Sequence, residues 1–310
     1  MYIALRTVNK TMQQNATGTI DTSEVLKKVR RMEIVTRRFV NDIMAGEYHS
    51  VFKGRGMEFE EVREYHQGDD IRTIDWNVTA RTGAPHVKHY REERELTVML
   101  MVDASSSGNF GTTRWQKEEL ATELCAVLAF SAIKNNDRIG LLIFTDQIEK
   151  FIPPKKGRRH VLRVIRELIA FRPTHRRTNL TVALDYINNI LTRKSVVFLI
   201  SDFLAGDMRS ALAITNKHHD LIAVTITDPR EEQLPPAGII EFEDAETGEL
   251  VTLDTSSFGT RSSFEDSATH DRQELMGLLR SLNIDHIALS TSRDYAIPLM
   301  RFFRERARRF

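Results

Sequence analysis

A single cysteine, Cys125, in 310 residues leaves no partner for an internal disulfide and excludes both a disulfide-stapled scaffold and a thiolate metal cluster. Its neighbours Leu124, Val127 and Leu128 mark it as a small core residue, which suits a reducing compartment. An excess of either charge is also lacking: 44 Lys plus Arg stand against 43 Asp plus Glu, so bulk electrostatics gives no warrant for a nucleic-acid or acidic-substrate partner. Long hydrophobic runs are missing too. The longest, 98–102 and 196–200, are strand-sized, and the N-terminal stretch has no signal-peptide core, so the expectation is a cytoplasmic chain without a membrane span. No G-x-S-x-G elbow, G-x-x-x-x-G-K-[ST] loop or H-E-x-x-H helix occurs, and Gly54-Arg-Gly56 lacks the third glycine of a dinucleotide-binding turn.

What remains is ordinary globular composition, 41% hydrophobic and 28% charged, enough for one large domain and a smaller one. Residues 1–20 are polar and aperiodic and read as a disordered tail. Residues 21–95 read as an N-terminal helix to about 41, with Val25, Val29, Met32 and Val35/Thr36 on one face, followed by a small β-rich subdomain broken by Gly68-Asp69-Asp70 and Gly83-Ala84-Pro85. From 96 to 310, apolar runs at 97–102, 139–144, 196–200, 221–226 and 284–289 alternate with amphipathic stretches at 114–135, 158–170, 180–192, 206–218 and 266–281. Alternation of that kind predicts an α/β fold, a doubly wound and mostly parallel sheet with helices on both faces. The segment 239–253 reads as a hairpin inserted before a late helix.

Ligands of such sheets bind beyond the carboxyl ends of the strands where strand order reverses, so polar residues just after apolar runs are the candidates. After Val98–Val102 comes Asp103-Ala-Ser105-Ser-Ser107; after Val196–Ile200 comes Ser201-Asp202; between them, at a helix start, lies Thr178. Two carboxylates and three hydroxyls form an all-oxygen set that suits a hard cation, Mg²⁺ or else Mn²⁺ or Ca²⁺, and disfavours zinc and copper. With waters completing the shell, one position can accept a partner's carboxylate. The bland alternative is that both aspartates cap strand ends while the serines bond backbone in a turn; three pieces in the right order at converging loops favour the metal centre.

The D-x-S-x-S, Thr and Asp series resembles the metal-ion-dependent adhesion site (MIDAS) of von Willebrand factor A domains, and 96 to about 226 resembles that domain. Arg63-Glu-Tyr65-His-Gln-Gly68-Asp69-Asp70-Ile-Arg72-Thr-Ile-Asp75-Trp76-Asn-Val-Thr-Ala80-Arg81 resembles the signature of the bacterial family called domain of unknown function 58. The resemblance implies metal-dependent protein–protein interaction beside a MoxR-type AAA+ ATPase, in chaperone-like assembly or remodelling. It implies that Ser105, Ser107 and Thr178 contact the metal, with Asp103 and Asp202 acting directly or through water. Two positions depart from adhesion-type domains: Arg176-Arg177 precede Thr178 where many have glycine, and Phe203 follows Asp202 where glycine is frequent, the second being usual in this family.

Other signals carry less. Trp76 is expected to pack on the main sheet while Arg72 and Arg81 pair with Asp70 or Asp75. His86 and His89 fall on opposite faces of a strand, and His218-His219 reads as a solvated helix end. Serine, not a second aspartate, stands two positions after Asp103, which argues for holding a metal without turnover and against the alternative of a Mg²⁺-dependent phosphoester hydrolase. A third reading, a basic-surface nucleic-acid or membrane binder, rests on arginines and lysines in 27–38 and on the C-terminal helix from Asp294, where Arg301, Arg304, Arg306, Arg308 and Arg309 flank Ile297, Leu299, Met300, Phe302, Phe303 and Phe310.

Overall fold

The chain, seen in a computed structural model, is described for residues 4–5, 22–40, 57–92, 95–113, 115–204, 206–243 and 249–309. It divides into two compact units: 52–96 form one, and 1–51 with 97–310 form the other. The N-terminal helix therefore belongs to the larger unit, where the sequence grouped it with the small subdomain. Apart from β1 (Ala4–Leu5), the tail 1–20 lies outside the described residues.

After β1 and α1 (Thr22–Phe39), the smaller unit contains β2 (Met57–Glu64) and β3 (His86–Glu92), paired antiparallel, with α2 (Trp76–Thr82) between them. The expected run of short extended pieces misses this helix. Its signals are local: the Asp75 carboxylate caps the N–H groups of Asn77 and Val78, and Gly83 ends it at φ +76°, a left-handed turn that favours glycine. Asp69 receives both guanidinium nitrogens of Arg63, and Asp75 pairs with Lys88 at 3.5 Å. Trp76 is 70% exposed. The seven-residue helix has no buried residue, so no apolar face turns the ring inward.

In the larger unit the chain runs through β4 (Thr97–Asp103), α3 (Lys117–Lys134), β5 (Arg138–Phe144), β6 (Ile148–Lys155), α4 (Arg158–Ala170), α5 (Leu180–Ile190), β7 (Val196–Ser201), α6 (Arg209–His218), β8 (Asp220–Thr227), β9 (Ile239–Glu243), β10 (Leu250–Asp254), α7 (Phe258–Ser281), β11 (Asp285–Ser290) and α8 (Ala296–Ala307). The main sheet has the order β11-β8-β7-β4-β5-β6, parallel except for β6, which pairs antiparallel with β5. The chain winds outward from β4 to β6 and then crosses to β7 on the other side of β4. The switch point therefore falls between the carboxyl ends of β4 and β7, as the doubly wound reading requires. The sequence passed over β6 because Pro153 and Pro154 interrupt it, and an edge strand tolerates them. The inserted hairpin is β9 paired with β10, joined by β1 into a separate three-stranded sheet.

Met99, Met101, Phe144, Leu199 and Leu221 face Leu180, Leu184, Leu212 and Leu279 on one side of the sheet. On the other, α3 is buried almost all round, Cys125 included, because α1 and α4 both pack against it. Thr36 of α1 is buried while Val35 is 51% exposed, which settles the ambiguity at that turn. Burial pushes the Cys125 thiol far above its ordinary range and keeps it protonated. In α8, Leu299, Phe302 and Phe303 are buried; Arg306 pairs with Asp220 and Asp285, Arg309 with Asp285, and Arg301 with Glu305. Among the described residues no helix is long and apolar enough to cross a membrane.

Candidate metal centre

Asp103 ends β4 and Asp202 follows β7, so the carboxylates stand on either side of the switch point. Asp103 is held by three groups: the Ser105 N–H donates to Oδ1 at 2.9 Å, the Ser201 hydroxyl donates to Oδ2 at 2.7 Å, and the Ser105 hydroxyl adds a further bond. Burial, with the nearby Asp202 charge second, nevertheless pushes its carboxyl up to about 7, against those hydrogen bonds. Desolvated and repelled by its neighbour, it is poised for a cation.

Ser105 is 2% exposed and begins the turn Ser106–Asn109, which contains Ser107. Thr178 lies just before Asn179, whose side chain caps α5 through the Val182 N–H. Its loop is tied to the others by backbone bonds, Ser106 N–H to Arg176 O at 3.1 Å and Asn179 N–H to Thr145 O at 3.0 Å. Two buried oxygens here have no hydrogen-bond partner among the described residues, Thr178 Oγ1 and Asp202 Oδ2, the latter 4.0 Å from Lys117 Nζ. Buried polar atoms are rarely left unbonded, so two orphaned oxygens on adjoining loops are what a hard cation would satisfy. Among the described residues no group of three or more His, Cys, Asp or Glu could hold a metal ion, so a centre here depends on hydroxyls and water. The oxygen donors of Asp103, Ser105, Thr178 and Asp202 fit a hard cation such as Mg²⁺, while the Ser107 side chain lies outside the described residues.

Asp103, Ser105, Lys117, Ser201 and Asp202 line the polar end of a cavity of about 70 Å³ whose remaining wall is mostly apolar, including Val102, Ala121, Ile143, Leu168, Phe171 and Ile200. Phe203, after Asp202, adopts φ +58° and is buried. The left-handed turn after Asp202 is thus made by an aromatic residue, at a backbone cost of about 1 kcal/mol that its burial offsets.

Sequence reasoning missed the residues that position this site. Glu149 on β6 accepts from Thr174 N–H and Oγ1–H, from His175 N–H and its Nδ1, and from the Thr145 hydroxyl, fastening the loop that leads to Thr178. Burial raises its carboxyl, but the Thr174 and His175 bonds outweigh this and hold it at about 2. A depressed folded value means the stabilisation is complete above pH ~4.5 and fades as pH falls towards 2. Glu149→Gln is therefore expected to lose about 2 kcal/mol at neutral pH, and the gap from wild type should close near pH 2 in denaturant titrations. A gap unchanged by acid would contradict the assignment.

Asp228, wholly buried after β8, receives Thr112 N–H and Oγ1–H, Thr291 Oγ1–H and Arg230 N–H. It joins the loop after β4 to those after β8 and β11. Gly111 in that first loop leaves no room for a side chain, since a Cβ would meet Trp115 O at 2.6 Å. Glu231 bonds back to the Asp228 N–H and accepts from buried Lys117 at 2.7 Å. Nothing in the sequence marked the partners joined across 63 to 116 positions, whereas Asp228 and Glu231 form a local capping box whose Asp-Pro-x-Glu spacing could have been read. His219, read as solvated, is instead buried with neither ring nitrogen hydrogen-bonded, and burial lowers its basicity.

The family described as Protein of unknown function DUF58 matches residues 61–274. An uncharacterized protein of Mycobacterium tuberculosis is 32% identical over 295 residues, covering 94% of this chain and 92% of that protein. Solved structures with a similar fold include an aerotolerance-related membrane protein from Bacteroides fragilis, with 14% identity, 69% of this chain and 100% of that one covered and a TM-score of 0.48. Another is proximal thread matrix protein 1 from the mussel byssus with a zinc-occupied MIDAS motif, with 14% identity, 43% and 38% covered and a TM-score of 0.34.

Proposed function

The chain belongs to the DUF58 family, and from that premise we propose that it is a metal-dependent protein-interaction module of the von Willebrand A type, which captures an acidic residue of a partner at Mg²⁺ and turns over no substrate. The observation that carries the reading is the pair of orphaned buried oxygens, Thr178 Oγ1 and Asp202 Oδ2, beside the desolvated Asp103 carboxylate. Asp103, Ser105, Ser107, Thr178 and Asp202 would hold the ion. When bound, it supplies a positive, geometrically directed acceptor for a carboxylate. Mn²⁺ or Ca²⁺ would meet the same oxygen donors.

Several features favour binding over catalysis. Ser105 fills the position where a hydrolase of the aspartate-nucleophile kind keeps its acid, and its N–H and hydroxyl both serve to hold Asp103. The arginines Arg301, Arg306 and Arg309 of α8 are engaged by carboxylates of this chain, and its phenylalanines 302 and 303 are buried, which argues against a nucleic-acid or membrane role for that helix. The partner that the family resemblance implies is a MoxR-type AAA+ ATPase, in chaperone-like assembly inside the cytoplasm.

The test is calorimetric titration with Mg²⁺, followed by capture of a purified MoxR-type ATPase with Mg²⁺ or with EDTA. Saturable Mg²⁺ binding and capture lost in EDTA are expected. Capture indifferent to EDTA, or Mg²⁺-dependent phosphatase turnover in a generic screen, would overturn the reading.

A further inference from the structure

Lys117 sits at the first position of α3 and is 5% exposed. That placement is unfavourable twice over. Lysine is rarely buried, and a cation at a helix N-terminus opposes the macrodipole of an 18-residue helix. Its ammonium lies 2.7 Å from Glu231 Oε1 and 4.0 Å from Asp202 Oδ2, and it lines the same cavity as Asp103 and Ser105. Glu231 is itself fixed, because its other oxygen accepts the Asp228 N–H at 2.9 Å.

We propose that Lys117 is a built-in counter-ion of the metal centre: it compensates Asp202 when no metal is bound, is given over wholly to Glu231 when one is, and thereby sets the affinity for the divalent ion. The charge count supports this. Asp103 and Asp202 carry two negative charges that a divalent ion neutralises, and Lys117 with Glu231 is neutral by itself. Without the metal, the Asp202 carboxylate faces the Lys117 ammonium at 4.0 Å. A cation so close to a ligand oxygen must weaken metal binding, because the ion and the ammonium repel in a site with little water. Glu231 moderates that repulsion by holding the ammonium back. The proposal rests on the metal-centre reading above.

Two variants make opposite predictions. Mg²⁺ calorimetry on Lys117→Met is expected to show at least about tenfold tighter binding, and a lower thermal midpoint in EDTA that Mg²⁺ restores by more than in wild type. Glu231→Gln frees the ammonium towards Asp202 and is expected to weaken Mg²⁺ at least about tenfold. A merely structural lysine would weaken binding in both, and that result, or unchanged affinity in Lys117→Met, overturns the proposal. If Lys117→Met does not fold, Lys117→Gln, which keeps a polar group at that position without the charge, takes its place: tighter Mg²⁺ binding supports the counter-ion, unchanged or weaker binding refutes it. Failure of the wild type to bind Mg²⁺ removes the metal-centre reading itself, a failure distinct from one seen only in the variants.

Discussion

Asp103→Ala is expected to lower Mg²⁺ affinity by a factor of 100 or more, on the order of what losing a liganding carboxylate costs, and to abolish metal-dependent partner capture while the protein stays folded. The carboxylate is held at the switch point by Ser105 and Ser201. Removing it strands the Ser201 hydroxyl and the Ser105 N–H, which costs up to about 2 kcal/mol, but it also removes a buried charge repelled by Asp202. The two effects oppose, so a thermal midpoint close to that of wild type in EDTA is expected. Asp103→Asn keeps the shape and should lose the metal equally. Wild-type Mg²⁺ affinity in either variant, measured by calorimetry on protein with unchanged circular dichroism, would show that Asp103 is only a strand-end cap.

The second large effect concerns stability. Asp228→Ala is expected to cost about 3–5 kcal/mol, because it orphans the buried Thr291 hydroxyl, frees both the N–H and the hydroxyl of Thr112, and uncaps the turn Pro229–Glu232. For a mid-sized domain that is a fall in thermal midpoint on the order of 10 °C. Since the loop released at Thr112 is the one that begins at Ser105, Mg²⁺ affinity should drop as well, by about tenfold where a positioning contact is lost. Asp228 is not among the five candidate ligands, so the variant should still bind Mg²⁺ at saturating concentration. Scanning calorimetry with and without Mg²⁺ separates these effects. A loss below about 1 kcal/mol would mean the loops are held together by other contacts.

Local chemistry accounts for what could be read directly. Apolar runs bounded by polar residues placed β4, β5, β7 and β8 within a residue or two, since a strand buried on both faces must be continuously apolar, and the shorter run at β11 marked the edge strand as closely. The Asp103, Thr178 and Asp202 positions were legible because ligand sites of doubly wound sheets fall where strands end, a rule of topology that needs no distances. What sequence could not reveal depends on neighbours brought together by folding. β6 became a strand because β5 offered it a free edge despite two prolines, and α2 formed from a capped stretch too short and too polar to show a period. Lys117, Glu149, Asp228 and Glu231 are ordinary charged residues in the sequence. Only folding buries Lys117 and Asp228 among the loops after β4, β8 and β11, sets Glu231 against both, and engages Glu149 through five hydrogen bonds from Thr145, Thr174 and His175. Composition and periodicity by themselves determined a doubly wound sheet with oxygen donors at its switch point; the tertiary structure decided which charges face those donors, because electrostatic partners across a hundred residues are chosen by packing and by the loss of solvent, neither of which is written in local order.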